Sequence, residues 1–469
     1  MPQTDLPTIA FVSLGCPKNL VDSERMLAGL ALAGFAVTPD PDGADVAVVN
    51  TCGFINLARA ESDEHIDRLE DLKRAGRLGA VVVAGCMAER LRKAVLQRHP
   101  DVDAVVGLAE RDRLAAICRD VPPRGLAPGS ARAPERRRRA NAAAEPLVSI
   151  PPLPPGVPDD RERLRLTPHH YAYLRITEGC DNRCAYCAIP DIRGPLRSKP
   201  PEMVLAEAEE LVADGAVELI LIGQDTTAYG RDTPGAGLSL ARLLADLRTR
   251  LAVPWLRLMY THPASFAPEV IDRLAAGDPL VPYVDLPLQH ASTAVLRRMG
   301  RRVTREDLDR LLANLRAAAP AIALRTSFIV GFPGETEAEF ADLLALVREV
   351  RFDHVGVFVY SPETGTPAAD LPDRVPAEVA RARWDRLMQE AGRAARAKAA
   401  QRVGRTMTVL VDGADAEGRL VARHAGQAPE VDSAVLLPAG AAAVGEFATV
   451  RATGTDGYDL TAEPAKDAC

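Results

Sequence analysis

The sequence lacks a long apolar run, a basic leader and an excess of positive charge. No uncharged apolar segment approaches the roughly 18 residues needed to span a bilayer, so we expect no membrane association. The opening stretch, MPQTDLPTIAFVSLGC, contains neither a basic leader nor a cleavable apolar segment, which predicts a cytoplasmic protein. Lys and Arg number 57 against 64 Asp and Glu, a formal charge of -7, so a general nucleic-acid-binding surface is not predicted.

Cysteine is scarce, with eight residues in a chain of 469. Because disulfides are rare in a reducing cytoplasm, these cysteines are interpreted first as metal ligands, catalytic groups or small buried residues. The chain is too long for one hydrophobic core, and about two to four domains are expected.

Residues 7–120 are predicted to form a small N-terminal α/β sheet domain. Three apolar, β-branched runs alternate there with helical patterns. The runs are Thr8–Leu14, Asp45–Val49 and Ala80–Ala84. The cysteines that closely follow them are Cys16, Cys52 and Cys86. Since the carboxyl ends of parallel strands share one edge of a sheet, three thiols are expected at that edge. Taken alone, this trio is equally compatible with buried structural cysteines.

Residues 169–401 show a second strand and helix alternation, which predicts an α/β domain with a partial (βα)6 barrel. The candidate strands are Tyr171–Ile176, Val217–Ile222, Trp255–Met259, Tyr283–Leu286, Ile322–Val330 and His354–Tyr360. The candidate helices include Pro201–Ala213, Arg305–Ala318, Glu337–Val350 and Ala377–Gln401.

The remaining segments are a linker and a tail. Residues 121–168 are rich in Pro, Ala and Arg, which predicts a linker. Its run ERRRRAN, Glu135–Asn141, could contact RNA, but a solvated linker face is favoured. Residues 402–469 contain short β segments between Gly, Asp and Pro turns, which predicts a small antiparallel β-barrel.

The strongest chemical signal is EGCDNRCAYC, which places Cys180, Cys184 and Cys187 in a C-x3-C-x2-C array. Structural zinc requires four protein ligands, and no fourth Cys or suitably spaced His follows. Three thiolates on a compact loop instead fit a 4Fe-4S cluster with one iron free for a substrate or cofactor. The array resembles the signature of the radical S-adenosylmethionine superfamily. In that superfamily the free iron binds the cofactor and the reduced cluster cleaves its sulfonium.

The resemblance implies that strand ends of the central domain bind S-adenosylmethionine. The expected cofactor-binding residues are Tyr186, Gly223, Gln224, Gln289, Gly331 and Gly334. Gln224 is placed near the amino group, Gln289 near the ribose or methionine, and the Gly331–Gly334 turn near adenine. Each has a structural alternative, because glycines and prolines after strands usually form turns and Tyr186 could only pack.

Four other residues are expected to be structural or incidental. His262 and His290 are interpreted as hydrogen-bonded structural histidines. Cys118 lies in a helical pattern and is expected to pack in a core, whereas Cys469 is interpreted as incidental.

Longer motifs resemble the methylthiotransferase family over nearly the whole chain. They include SLGCPKNLVDSE (Ser13–Glu24), NTCGFI (Asn50–Ile55), EGCDNRCAYCAIPDIRGPLRS (Glu178–Ser198), IGQDTTAYG (Ile222–Gly230) and RTSFIVGFPGETE (Arg325–Glu337). The family architecture is an auxiliary-cluster domain, a radical core and a C-terminal TRAM barrel. The CPKN and CGFI forms resemble the members that methylthiolate an aspartate β-carbon of small-subunit ribosomal protein S-twelve.

This resemblance implies two 4Fe-4S clusters and S-adenosylmethionine as cofactors. The array cluster would generate the adenosyl radical, which abstracts hydrogen from the substrate carbon. Cys16, Cys52 and Cys86 would hold an auxiliary cluster that presents sulfur. The implied partners are ribosomal protein S-twelve or the small ribosomal subunit, an electron donor such as flavodoxin or ferredoxin, and a sulfur donor.

The charge of the tail bears on the substrate. Residues 402–469 contain six Lys or Arg and ten Asp or Glu, including the stretch Glu430–Asp432. An acidic barrel would repel phosphates and complement a basic ribosomal protein, which favours a protein substrate. The alternatives are a transfer-RNA adenosine methylthiotransferase and a non-catalytic iron–sulfur protein that binds RNA or assists ribosome assembly.

Overall fold

A computed structural model describes residues 6–121, 145–277 and 279–465. The chain divides into two compact units. The first comprises the residues up to Leu166 together with Glu178–Asp181 and Cys187–Arg197, and the second comprises the rest. The run Glu135–Asn141 and Cys469 lie outside the described residues.

The first unit is built on a parallel six-stranded sheet in the order β2-β1-β3-β4-β5-β6. Apolar residues on both faces of the sheet pack under helices, which is why its central strands are continuous apolar runs. The strands are β1 (Thr8–Ser13), β2 (Ala36–Thr38), β3 (Val46–Thr51), β4 (Ala80–Gly85), β5 (Ala104–Val106) and β6 (Leu147–Ser149). The helices are α1 (Pro17–Leu32), α2 (Asn56–Arg74), α3 (Cys86–Leu91), α4 (Ala94–Arg98), α5 (Leu114–Asp120) and α6 (Ile189–Arg193).

The predicted sheet is confirmed, and it is wider than the sequence indicated. The three additional strands β2, β5 and β6 have three residues each. Strand β6 pairs with β5 and falls inside the segment 121–168 that was predicted to be a linker. That prediction is wrong for Leu147–Ser149, because a three-residue edge strand is too short to produce a recognisable pattern.

The second unit contains an open parallel sheet in the order β14-β13-β12-β11-β10-β7. The six predicted strands are therefore confirmed as one sheet, and their apolar residues form the largest core of the described chain. The strands are β7 (Tyr171–Arg175), the two-residue β8 (Thr177–Glu178) and β9 (Arg197–Ser198), β10 (Glu218–Ile222), β11 (Trp255–Leu258), β12 (Leu280–Asp285), β13 (Ala323–Val330) and β14 (His354–Val359). The helices are α7 (Pro201–Ala213), α8 (Leu240–Arg250), α9 (Pro268–Ala276), α10 (Thr293–Arg298), α11 (Arg305–Ala318), α12 (Glu337–Val350) and α13 (Ala377–Arg402).

Local sequence explains where several of these helices begin. Thr304 caps α11 and Thr336 caps α12, each in a reciprocal capping box with the third helical residue. Helix α7 has Pro201 in its first turn, where a missing backbone N–H costs nothing. The predicted bounds of these three helices match the observed ones.

The tail forms the predicted small barrel, closed in the order β15-β16-β17-β19-β18. Its strands are β15 (Thr406–Ala414), β16 (Leu420–His424), β17 (Val435–Leu437), β18 (Phe447–Asp456) and β19 (Asp459–Pro464). Strand β19 pairs with both β17 and β18 and so closes the barrel.

The barrel contacts the amino-terminal ends of the core strands. Arg423 donates to the buried Glu218, the first residue of β10, at 2.8 Å. His170, immediately before β7, hydrogen-bonds Asp412 of the barrel at 2.9 Å. The barrel is therefore held at the end of the sheet opposite to the carboxyl ends of the strands.

The acidic stretch of the tail takes part in this same contact. Asp432 has an inaccessible side chain and accepts from Tyr283 at 2.8 Å, while Glu430 accepts from Tyr171 at 3.1 Å. The prediction that this stretch contributes to an acidic docking surface is wrong for Asp432, because it is used inside the unit. More exposed carboxylates lie elsewhere on the barrel, at Glu417 for example.

Within the described residues, no helix has both the length and the apolar character required to cross a membrane.

Candidate functional site

Three cysteines of the first unit lie just beyond the ends of neighbouring strands. The strand register places Ser13 of β1 opposite Asn50 of β3, and Asn50 opposite Ala84 of β4. The cysteines that follow these aligned ends are Cys16, Cys52 and Cys86. The prediction that they share one edge of the sheet is confirmed.

Glycines allow the segments that carry these thiols to approach closely. Gly15 has a φ of +93°, and a Cβ built on it would lie 2.9 Å from the Cβ and 3.3 Å from the Sγ of Cys52. A Cβ on Gly53 would lie 2.6 Å from the carbonyl oxygen of Cys86. Larger residues would force the three segments apart, so both glycines are needed for the thiols to meet.

A buried network of hydrogen bonds also holds the segments that carry Cys16 and Cys52. The Asn19 amide donates to the carbonyl of Leu14 at 2.6 Å, and the Asn50 amide donates to the carbonyl of Asn19 at 2.9 Å and to Ser23 at 2.8 Å. Ser23 in turn hydrogen-bonds Ser13 at 2.7 Å. Because buried polar groups are costly unless paired, this network holds the loops after β1 and β3 in one arrangement.

Positive charge offsets the burial of the thiols. Burial alone would raise the pKa of Cys16, but Lys18, Arg193 and two backbone N–H groups lower it overall. Burial raises the pKa of Cys52 and raises that of Cys86 to about 12, although Arg193 opposes both shifts. Three clustered thiols that share one buried cation form a site suited to anionic sulfur ligands.

The donor set fits a 4Fe-4S cluster. It offers three thiols that form no disulfide within the described chain and that are brought together by glycine at Gly15 and Gly53. The fourth position of a tetrahedral zinc site would require another Cys, His or carboxylate ligand. Three thiolates match the requirement of a cubane with one unprotected iron.

The second set of cysteines follows β8 on a loop whose middle part belongs to the second unit. Cys184 lies in that part, whereas Cys180 and Cys187 are assigned to the first unit. The Asn182 side chain donates to Asp225 at 2.8 Å, immediately beyond β10. Asp225 is buried, which raises its pKa, and it also accepts from Thr227 at 2.6 Å. The loop is thus tied to a strand end of the core sheet.

Arg301 contacts the same part of the loop at Cys184 and Tyr186. It donates to the carbonyl of Pro287 at 2.7 Å and to the hydroxyl of Tyr186 at 3.3 Å, and it lies 4.0 Å from the Sγ of Cys184. The backbone N–H of Ala185 donates to the carbonyl of Met299 at 2.8 Å. A buried guanidinium beside Cys184 suits an anionic sulfur ligand at that position.

Two of the glycines expected to contact the cofactor also have a packing role. A Cβ on Gly223 would lie 2.1 Å from the Oγ1 of Thr177. A Cβ on Gly331 would lie 2.5 Å from the Cβ of Ala380. Gly334 has a φ of +73° and more open surroundings. The structural alternative therefore has a physical basis at Gly223 and Gly331, and cofactor binding by all three stays a prediction.

The two glutamines lie at strand ends, as expected. Gln224 follows β10, and Gln289 follows β12 with a left-handed φ of +71°. The backbone of Gln289 pairs on both sides with the strand β13, to Ser327 and Ile329 at 2.8 Å each. Strain held in place by such pairing is typical of functional positions, but contact with a cofactor stays a prediction for both residues.

The two histidines differ in their surroundings. His290 accepts from the N–H of Ser292 at 3.0 Å and lies 3.3 Å from Glu335, as predicted for a structural histidine. His262 accepts from the N–H of Ala264 through Nδ1 at 3.2 Å, while its buried Nε2 has no hydrogen-bond partner among the described residues. Burial lowers the pKa of His262 to about 2, so its imidazole is neutral. Cys118 packs in the first unit's core, as predicted.

Sequence reasoning missed the residues that support the cysteines. These are Asn19, Asn50, Arg193, Asp225 and Arg301. Each acts through a partner distant in sequence, and Arg193 lies 107 positions from the cysteine that it contacts. Asn19, Asn50, Arg193 and Asp225 lie within the quoted motifs, whereas Arg301 lies outside them.

Three family matches cover the chain in the order of the fold. Residues 8–107 match the uncharacterized protein family UPF0004, residues 174–347 match the radical SAM superfamily, and residues 403–464 match the TRAM domain. With the sheet topology and the cysteines, these matches define a radical S-adenosylmethionine enzyme with an N-terminal domain and a C-terminal barrel.

Curated relatives identify the family within this class. The chain is 42% identical over 457 residues to the ribosomal protein uS12 methylthiotransferase RimO of Geobacter sulfurreducens. The aligned region covers 97% of this chain and 98% of the relative. It is 44% identical over 451 residues to RimO of Anaeromyxobacter sp. (strain K), in an alignment that covers 96% of this chain and 91% of the relative. The chain belongs to the RimO family of methylthiotransferases.

Solved structures support the fold. The radical S-adenosylmethionine methyltransferase TsrM from Kitasatospora setae superposes with a TM-score of 0.51 at 17% identity, over 78% of this chain and 77% of that one. The cobalamin-dependent radical enzyme OxsB gives a TM-score of 0.51 at 13% identity, over 82% and 55%. Family membership confirms the prediction of 4Fe-4S clusters and S-adenosylmethionine as cofactors.

Proposed function

We propose that this protein methylthiolates the β-carbon of an aspartate in ribosomal protein uS12. The observation that carries the proposal is full-length similarity to RimO proteins in a chain whose two cysteine sets both lie beyond strand ends. In the proposal, Cys180, Cys184 and Cys187 hold a catalytic 4Fe-4S cluster. A second, auxiliary cluster is held by Cys16, Cys52 and Cys86.

The protein's own residues position the reacting groups. When bound, the clusters and S-adenosylmethionine supply reductive sulfonium cleavage, hydrogen abstraction, sulfur and the methyl group. Asn182 and Asp225 hold the catalytic loop against the end of β10, and Arg301, which also donates to Pro287, contacts the loop at Tyr186. A loop held at these contacts keeps the thiolates in one geometry, which a reaction between precisely placed groups requires.

The proposed cofactor contacts lie at the carboxyl ends of the core strands. Gln224 and Gln289 bind the polar groups of S-adenosylmethionine, and the Gly331–Gly334 turn lies beside the adenine. Gly223 lets the segment before Gln224 pass close to Thr177, and Tyr186 forms part of the wall, held by Arg301. Parallel sheets place ligands at this end because helix N-termini and loops converge there.

The proposed partners follow from the chemistry. Reductive cleavage needs a low-potential electron donor, such as flavodoxin or ferredoxin, and each turnover consumes a sulfur atom from a sulfur donor. A substrate in the small ribosomal subunit places the protein in the cytoplasm with the ribosomes.

The function is tested by comparing methylthio groups in a strain that lacks this protein. We expect tryptic peptides of uS12 to lose the modification and the nucleosides of transfer RNA to keep it. Complementation with a Cys180→Ala variant should fail, whereas a Cys118→Ala variant, whose cysteine packs in a core, should restore the modification. Loss of methylthio groups from transfer RNA instead would contradict the proposed substrate.

The cysteine assignments are tested by anaerobic reconstitution with iron and sulfide counting. Wild type should bind about eight irons and a triple alanine variant at Cys16, Cys52 and Cys86 about four, as loss of one cubane requires. Equal iron in the two proteins would exclude the auxiliary site.

A further inference from the structure

A buried arginine joins the catalytic segment of the sequence to the auxiliary cysteines. Arg193 lies six residues after Cys187, at the end of α6, and is 2% exposed. Its Nη2 lies 3.2 Å from the Sγ of Cys86. Around this contact, Ala188 and Ile192 of the α6 segment pack against Cys86 in one apolar cluster, so water is largely excluded from it.

Two carboxylates set the orientation of the guanidinium. Nη1 of Arg193 donates to Glu178 at 3.0 Å, and Nη2 donates to Asp22 at 2.9 Å. Since Nη2 carries two hydrogens, one serves Asp22 and the other faces Cys86. A second arginine, Arg111, pairs with the other oxygen of Asp22 and lies 3.9 Å from Glu178.

The charges in this network balance without the thiol. Arg193 and Arg111 carry two positive charges, and Asp22 and Glu178 carry two negative ones, all in side chains that are at most 8% exposed. The carboxylates therefore hold the guanidinium in place and leave an N–H group directed at sulfur. Such a donor provides a charge-assisted hydrogen bond to the sulfur.

We propose that Arg193 is a positioning residue that donates a hydrogen bond to the Cys86 ligand of the auxiliary cluster and raises that cluster's reduction potential. Hydrogen bonds to ligand sulfur stabilise the reduced, more negative cluster. The proposal rests on the cluster assignment made above. It adds that α6, which follows the catalytic cysteines in sequence, adjusts the auxiliary site.

The corresponding contact at the catalytic cysteines is longer. Arg301 lies 4.0 Å from the Sγ of Cys184, and its shorter hydrogen bonds go to Pro287 and Tyr186. A donor at that distance is at the limit for a hydrogen bond to sulfur and stabilises reduced sulfur less than one at 3.2 Å. Of these two arginines, Arg193 is therefore expected to have the larger effect on the potential of its cluster.

The test is a potentiometric titration of the full-length reconstituted protein, followed by electron paramagnetic resonance. The auxiliary signal is assigned by its absence from the triple alanine variant at Cys16, Cys52 and Cys86. In Arg193→Gln we expect the auxiliary cluster to become harder to reduce. At a fixed potential its oxidised-to-reduced ratio should rise about tenfold, equivalent to ~59 mV for one electron. The catalytic cluster should keep its wild-type midpoint.

A second readout and two further variants separate tuning from misfolding. Release of auxiliary iron to a chelator should also accelerate about tenfold in Arg193→Gln. The matched control is Arg257→Gln, because Arg257 is equally buried and pairs with Glu218, away from either cysteine set in sequence. If Arg193→Gln does not fold, Asp22→Asn/Arg193→Gln removes one buried charge of each sign and should show the same shift.

The outcomes are distinguishable. Unchanged auxiliary potential and iron release in folded Arg193 variants would overturn the proposal while leaving the proposed function intact. Equal shifts in Arg257→Gln would overturn it as well, because the effect would then be general destabilisation. A wild-type protein without an auxiliary signal would contradict the cluster assignment itself.

Discussion

The hydrogen bond between Asn182 and Asp225 should control how firmly the catalytic cluster is held. Asp225 uses Oδ2 to accept from Asn182 at 2.8 Å and Oδ1 to accept from Thr227 and from the N–H of Ala228, at 2.6 and 3.2 Å. In Asp225→Asn only one oxygen remains. Whichever way the amide turns, it must lose either the hydrogen bond from Asn182 or those from Thr227 and Ala228. Its NH2 group then faces another donor.

The magnitude follows from the burial of this contact. Asp225 is 1% exposed, and losing a hydrogen bond to a buried carboxylate costs about 1.5–3 kcal/mol. We therefore expect iron release from the catalytic cluster of Asp225→Asn to be about 10- to 100-fold faster than in wild type, as for other partners of metal ligands. Formation of 5′-deoxyadenosine should fall with cluster occupancy.

The assay is chelator-monitored iron release from anaerobic protein, analysed as a double-mutant cycle with Asn182→Ala. If the pair acts as one unit, the double variant should cost no more than either single variant. Asp232→Asn is the control, since Asp232 accepts two hydrogen bonds from Ser198, outside the cysteine loop. Wild-type iron release in Asp225→Asn, or strict additivity in the cycle, would refute this account of the loop.

Three further predictions concern other parts of the chain. Gly15→Ala should cost about 1–3 kcal/mol and lower auxiliary iron content, because its Cβ would lie 2.9 Å from that of Cys52; Gly29→Ala, with open space, should not. Glu218→Gln should destabilise the protein to urea by about 3–5 kcal/mol, since two buried arginines lose their shared carboxylate. His262 is neutral when folded, because burial lowers its pKa to about 2, and takes up a proton near pH 6.5 only on unfolding. Its stabilising effect is therefore complete above that pH and decreases as the pH falls, so wild type should lose about 1 kcal/mol more than His262→Asn between pH 7 and 5.5 in paired urea titrations.

The long elements of the fold could be predicted because each carries its signal locally. Helices α11 and α12 begin at capping boxes, and the central strands β3 and β4 of the first sheet are rich in buried Val and Ala. The three-residue strand β6 and the closing strand β19 could not be predicted in this way, because their pairing depends on strands elsewhere in the chain.

The positions of the cysteines at the candidate site could likewise be predicted, whereas the residues that support them could not. The spacing of Cys180, Cys184 and Cys187 follows from a single loop, and the other three cysteines each follow a strand. Arg193 and Arg301 have no distinguishing sequence pattern, because an arginine that contacts a buried thiol has the same local context as a surface arginine. Only the tertiary structure shows that each is buried against a cysteine.

The position of the barrel restricts how it can influence substrate choice. Its acidic stretch is partly used at the amino ends of the core strands, where Asp432 accepts a hydrogen bond from Tyr283 and Glu430 accepts one from Tyr171. The loops that carry Cys184 and Gln289 lie at the opposite, carboxyl ends. The total charge of the tail is therefore a poor guide to its substrate, since a carboxylate paired inside the fold attracts no partner. Exposed carboxylates such as Glu417 stay available to a basic partner, and substitutions there should change substrate association while leaving the cysteine sites intact.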